Sequence, residues 1–165
     1  MGLTSVVKDP EALTMTVTSE WDVPAERAWQ LWADPRQLER WWGPPAYPAT
    51  VVSHDLVPGG RVNYLMTGPE GDQPKGLWEV LEVEAPRRLV VSDAFADDDW
   101  NDSGLAAPML MTVDIADRDG GGVVMTMTTT FASLDALEQM IAMGMEEGLT
   151  EAMGQIDGVL ASTPA

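Results

Sequence analysis

Few side chains in this sequence of 165 residues could do chemistry. There is no cysteine and a single histidine. That removes thiolate nucleophiles, disulfides and the common zinc ligand sets together. His54 stands between Ser53 and Asp55. Neighbouring side chains of an extended segment point to opposite faces, so neither neighbour can pair with it as a catalytic couple. His54 is therefore given a surface or structural role. Asp97, Asp98, Asp99 and Asp102 could hold a hard cation, but they lack the spaced ligand–glycine–glutamate pattern of a dedicated calcium loop and read as a solvated turn. No metal site and no cofactor is expected. Glu146 and Glu147 are expected to face solvent; either one turned inward would be a buried general base. Gly120-Gly121-Gly122 is a hairpin turn, since phosphate-binding glycine loops lead from a strand into a helix.

What remains is an apolar site. Seven Trp and eleven Met are unusual for this length, and both residue types line apolar cavities of irregular shape. The candidate ligand-binding walls are Val62, Tyr64 and Met66 on one strand, Trp78 and Val80 on the next, and Phe95 beyond it. Met111 and Val113 follow, then Met125, Met127 and Phe131. A C-terminal helix adds Ile141, Gly144, Met145 and Gly148. Tyr64 and Trp78 stand out, because a buried O–H or N–H needs a partner.

Those side chains are positioned by a simple order of elements. Leu13, Met15 and Val17 alternate with threonines, which predicts a half-buried first strand. Pro24 opens a helix to about Ala33. Asp34, Pro35 and Gln37 cap and start a second short helix, which ends at Trp41-Trp42-Gly43-Pro44-Pro45. Six strand signals follow: Ala49 to Leu56, Val62 to Met66, Leu77 to Val83, Leu89 to Phe95, Met109 to Ile115 and Val123 to Phe131. Short turns between them predict an antiparallel sheet, with threonines outside and methionines inside. From Ser133 to Ser162, apolar residues Leu134, Leu137, Ile141, Met145, Leu149, Ala152, Ile156 and Leu160 recur at helical spacing. This predicts one long helix packed on the inner face of the sheet. Gly144 and Gly148 lie on its inward stripe, where each costs about 1 kcal/mol against alanine. Either a strand approaches there or space is kept for a ligand. Thr163-Pro164-Ala165 reads as a frayed tail.

The chain reads as one domain, 1–165, with its core at about 12–160. The net charge of −18, from 27 acids and 9 bases, disfavours nucleic acid and anionic membranes. No apolar run reaches the roughly 20 residues needed to insert into a bilayer. The N-terminus lacks the basic start and apolar centre of a secretory signal, so a cytoplasmic location is expected by default.

The ordered set Trp21-Asp22-Val23-Pro24, Ala28-Trp29-Gln30-Leu31-Trp32, Asp34-Pro35, Trp41-Trp42-Gly43-Pro44, Asp55 to Arg61, Met66 to Gly71 and Pro86 to Val90 resembles one family. These are the AHSA-type proteins, homologues of the activator of the heat-shock-protein-90 ATPase, within the SRPBCC or START-like superfamily. The resemblance runs from about Ala12 to Leu160. It implies the α+β helix-grip fold, a curved antiparallel sheet wrapped around a long C-terminal helix with a cavity between them. Two positions depart from the family pattern. Val57 stands where an arginine is common, and Leu149 where a tryptophan is common. Both changes imply a wider, more apolar cavity.

Three functions are therefore expected, in order. The first is non-catalytic binding of a small hydrophobic molecule. The second is an enzyme of the polyketide cyclase or hydratase kind in the same cavity, which an inward-facing carboxylate or His54 in the cavity would favour. The third is an interaction module for a chaperone or regulator, which exposed Trp41 or Trp42 with a filled interior would favour. The Trp41-Trp42 pair is open to core, cavity-rim or homodimer-contact readings.

Overall fold

The alternation in the sequence becomes one sheet. In the computed structural model, which describes residues 2–162, the strands are β1 Gly2–Asp9, β2 Thr14–Trp21, β3 Ala49–His54, β4 Arg61–Met66, β5 Lys75–Glu84, β6 Arg88–Ala96, β7 Met109–Asp117 and β8 Val123–Thr130. They form a single eight-stranded sheet in the order β1-β2-β8-β7-β6-β5-β4-β3, antiparallel throughout. Register shifts at Leu3/Ser5, Val51/Ser53 and Val80/Glu82 are the kind of irregularity that bends a strand and curls a sheet. The fold is the helix grip.

β1 is a strand beyond the seven predicted. It is an edge strand, and of its apolar residues only Val6 packs against the core, while Val7 is 56% exposed. With no buried face it leaves no alternating pattern to read; backbone pairing with β2 holds it. β2 shows the expected alternation, burying Met15, Val17, Ser19 and Trp21.

Helices α1 Ala25–Ala33 and α2 Pro35–Trp41 connect β2 to β3. Asp34 caps α2 by accepting from the Arg36 N–H at 2.9 Å, and the Gln37 amide reaches back to the same carboxylate at 3.1 Å. Buried Arg27 clamps the layer, donating to Gln37 Oε1 at 2.7 Å and to the Val159 carbonyl at 3.2 Å.

The C-terminal helical stretch is jointed rather than continuous: α3 Leu134–Ala142, α4 Met145–Met153 and α5 Ile156–Ser162. Ser133 caps its start, the Oγ accepting from the Ala136 N–H at 3.0 Å. The first joint is made by Gly144, which sits in the left-handed region at φ 91°. Only glycine enters that region without a Cβ penalty, and there it ends a helix. At the second joint the Gln155 side chain donates to the Gly43 carbonyl at 2.7 Å. Leu137, Met140, Met153, Ile156 and Val159 are buried at the two ends of the stretch, while Met145 and Leu149 in its middle are only half-buried. Leu134 is 44% exposed and lies outside the buried stripe in which the sequence placed it. The expected tail, Thr163 to Ala165, lies outside the described residues.

Candidate functional site

The middle of the jointed helix is half-buried because it roofs a cavity of about 310 Å³. That volume falls in the range of small-molecule sites. The sheet supplies Tyr64, Met66, Phe95, Met109, Met111 and Met127, and the helices supply Met140, Met143, Met145 and Leu149. Gly144 and Gly148 complete the roof. A Cβ added to Gly148 would meet no atom within 4 Å. At Gly148 open space is therefore what is observed, whereas Gly144 is required by its left-handed backbone. Met143 is 62% exposed, so the cavity reaches the surface beside it.

One end of the cavity is polar. Asp93 on β6 projects into it, and the Tyr64 hydroxyl donates to Asp93 Oδ1 at 3.1 Å. Burial pushes the Asp93 carboxyl up to about 7, the Tyr64 hydrogen bond working against the shift. A carboxylate withdrawn from water loses solvation that one neutral donor does not replace. Burial also raises Tyr64 well above an ordinary phenol; the neighbouring Asp93 adds to this, while the indole N–H groups of Trp42 and Trp78 oppose it.

Tyr64 is held in place by its surroundings. It stands opposite Gly76 in the β4–β5 register. A Cβ on Gly76 would come within 2.3 Å of Tyr64 Oη, so glycine is what lets the ring lie across β5. Behind it Trp42 and Trp78 meet edge to face, centroids 5.0 Å apart, and each lies 6.0 Å from the Tyr64 ring. Trp32 and Trp41 extend this aromatic cluster. The outer indoles are satisfied: Trp32 donates to Met125 Sδ at 3.3 Å, Trp41 to the Leu31 carbonyl at 2.9 Å. The Nε1 atoms of Trp42 and Trp78 are buried, and the Tyr64 hydroxyl is the group on which their N–H dipoles act.

A family model described as "Activator of Hsp90 ATPase homolog 1-like protein" matches residues 22–161. The chain belongs to this family. A crystal structure of a Mycobacterium smegmatis protein is similar at 45% identity, with a TM-score of 0.88 and 99% of each chain covered. A solution structure of an Arthrobacter aurescens protein is 43% identical, with a TM-score of 0.90, covering 98% of this chain and 92% of the other. A Staphylococcus epidermidis protein at 22% identity and a TM-score of 0.83, covering 98% and 96%, shares the fold. Among curated proteins nothing matches.

Within this Hsp90-ATPase-activator-like chain the expected wall residues divide in two. Tyr64, Met66, Phe95, Met111, Met127, Gly144, Met145 and Gly148 surround the cavity. Val62, Trp78, Val80, Val113, Met125 and Phe131 belong to the packed core, with Ile141 partly buried against it. Side-chain alternation assigns a face but not a position along the strand. The Val113 and Met125 end of the sheet is filled by α1, whose Trp32 touches Met125, and the Met109 end is left open.

The two departures from the family pattern also separate. Leu149 lines the cavity. Val57 is 50% exposed in the turn before β4 and is no part of the wall, so it cannot widen the cavity. His54 is structural: its Nε2 bonds the Trp32 carbonyl at 2.9 Å. Asp97 accepts from the Asp99 and Asn101 N–H groups, and Asp98 pairs with Lys75. Among the described residues no group of carboxylates and histidine is arranged for a metal ion. Glu146 pairs with Lys8 of β1, and Glu147 is exposed. No helix among the described residues is long and apolar enough to cross a membrane.

Trp42 lines the cavity, one of the readings its sequence left open, whereas Asp93, Met109, Thr129 and Met140 were not among the expected wall residues. Thr129 is buried at 3% on the inner face and lines the cavity, against the expectation that threonines face out. Its signal was available: it continues the Val123, Met125, Met127 parity.

Proposed function

We propose that this protein binds a small, predominantly apolar molecule in the cavity between the sheet and the C-terminal helix. The observation carrying this reading is the open volume of about 310 Å³ under Gly148, walled by flexible methionines. A side chain at Gly148 would meet nothing, so the glycine is not explained by packing. Methionine walls reshape around varied apolar ligands. Native mass spectrometry of the purified protein, followed by denaturation of the same sample, is the first test. A small molecule released only on denaturation supports the reading. A clean mass, together with no uptake of the apolar fluorophore N-phenyl-1-naphthylamine, would overturn it.

Asp93 favours a second reading, an enzyme of the cyclase or hydratase kind in which this carboxyl moves a proton. An acid–base group is most effective when its pKa lies near the working pH, and Asp93 is pushed up to about 7. A carbonyl compound held beside it should exchange its α-hydrogens with deuterated water faster than in the Asp93→Asn variant. Equal rates would remove this reading. The chaperone-docking reading draws no support from the tryptophans, since Trp41 and Trp42 are exposed by only 0% and 8%.

A further inference from the structure

The cavity divides the methionines of this chain into two sets. Seven of the eleven line it. Of these, Met143 is largely exposed at the joint between α3 and α4, and Met66 and Met145 are half-buried. Met109, Met111, Met127 and Met140 are the buried part of the same wall. Elsewhere among the described residues, Met15, Met125 and Met153 are buried in the core. The Met125 sulfur is further occupied by the Trp32 indole N–H at 3.3 Å. Among the described residues, every thioether that solvent reaches therefore belongs to the cavity wall. The chain has no cysteine to react ahead of them. Oxidation of sulfur in a folded protein follows exposure, so it is directed here to the site.

We propose that Met143, Met145 and Met66 are a modification site: a neutral hydroperoxide converts their thioethers to sulfoxides, and the oxidised wall releases an apolar molecule. This rests on the ligand-binding reading and adds a chemical switch to it. The sulfur attacks one peroxide oxygen, and an S–O bond forms as the O–O bond breaks. Sulfur gives up two electrons and the peroxide is reduced. The proton of the transferred oxygen passes to the departing one, so hydrogen peroxide leaves as water. A neutral oxidant is specified because a net charge of −18 repels anionic ones. The product is a polar, chiral side chain where the wall was apolar and flexible. A sulfoxide oxygen facing the cavity must give up its water when an apolar molecule enters, and such a molecule offers no hydrogen bond in return. Met143 and Met145 flank the left-handed Gly144, so two of the three sulfoxides stand at the joint of the roof.

In the test the purified protein is treated with hydrogen peroxide, the excess is destroyed with catalase, and the sites are mapped by peptide mass spectrometry. Sulfoxide is expected first at Met143 and then at Met145 and Met66, with Met15, Met125 and Met153 unmodified. Binding of N-phenyl-1-naphthylamine should weaken about tenfold, the worth of one polar group buried without a partner. Methionine sulfoxide reductases A and B together, one for each epimer, should restore it. Met66→Leu, Met143→Leu and Met145→Leu combined keep an apolar wall of similar volume that peroxide cannot oxidise. That variant should bind the fluorophore equally before and after treatment. Should it fail to fold, Met143→Leu with Met145→Leu gives the comparison and should keep most of its affinity through treatment. Complete oxidation at the three positions with unchanged affinity would overturn the switch. An equal loss of affinity in the leucine variants would overturn it too, as would oxidation of the core methionines ahead of the three. No binding by the untreated protein would overturn the binding reading, and the switch with it.

Discussion

Replacing Asp93 by Asn should stabilise the protein at alkaline pH and leave it nearly unchanged in acid. The carboxyl is pushed from 3.8 to about 7 in the folded chain. A raised folded pKa means that the native state holds a proton which the unfolded chain has released. Its contribution to stability is therefore fully present below the unfolded value and is lost as the pH climbs to the folded one. The interval spans about 3 pKa units at 1.36 kcal/mol each, so ionising Asp93 in place costs about 4 kcal/mol. Asp93 is only half-buried and the cavity reaches solvent beside Met143. Water admitted there would reduce the penalty, to about 2 kcal/mol if half of it is screened. Asn keeps the shape and still offers an oxygen to the Tyr64 hydroxyl.

The assay is urea unfolding of both proteins from pH 4 to pH 9. The difference in stability should be small at pH 4, grow in favour of Asn as the pH rises toward 7 and level off above about pH 7. At a typical slope of about 2 kcal/mol per molar urea, a 2–4 kcal/mol gain moves the midpoint by about 1–2 M. The Arg87 and Asp117 pair, in which the carboxyl is held below its ordinary value, adds little change across this range, and its groups need no separate correction. They are common to both proteins and cancel in the difference. Two parallel curves would refute the reasoning, showing that Asp93 is as well hydrated in the fold as in the open chain.

Three further outcomes follow from the geometry. Gly76→Ala would place a Cβ about 2.3 Å from the Tyr64 oxygen; overpacking of this kind costs about 1–3 kcal/mol, and a thermal melt should show the loss together with a changed near-ultraviolet signal from the displaced tyrosine. Leu149→Trp should fill the cavity, lowering retention of N-phenyl-1-naphthylamine while leaving the melting temperature within a few degrees; unchanged retention would remove Leu149 from the site. Gly144→Ala places a side chain at φ 91°, a left-handed conformation that costs about 1–2 kcal/mol, and should destabilise the protein by about that much in urea, whereas Gly148→Ala, in a right-handed turn of α4, should not.

Much of the fold could be read from periodicity, because each buried face leaves a repeat. β2, β7 and β8 are plain in the sequence for this reason. β1 could not be read, since it is held by the backbone of β2 and buries almost nothing. The joint at Gly144 was visible only as a costly glycine: a helical stripe tolerates a left-handed residue whenever the two segments bury the same face. Whether an inner face is filled or hollow depends on how volumes sum across the whole core. A single strand does not carry that information, and so Val113 and Met111 look alike in sequence, although one is core and the other cavity wall.

Asp93 is the instructive omission, because its position was determinable. Charged residues are seldom buried, and that expectation places an aspartate on the wet face of a strand. Parity says otherwise. Leu89 and Val91 are buried and Phe95 lines the cavity, and Asp93 falls on the same parity, two residues from Val91 and from Phe95. The pairing of β6 with β7 runs from Arg88↔Asp114 to Asp93↔Met109 without a register shift. Nothing along it lets the side chain change faces, and its other partner across the sheet is Trp78. Where an unbroken strand and a charge preference disagree, the strand must win, because turning one side chain over would turn all of them. The chain accepts the cost of burying that carboxyl instead. A residue retained against its solvation preference in the wall of a cavity is where a bound molecule would find its polar contact.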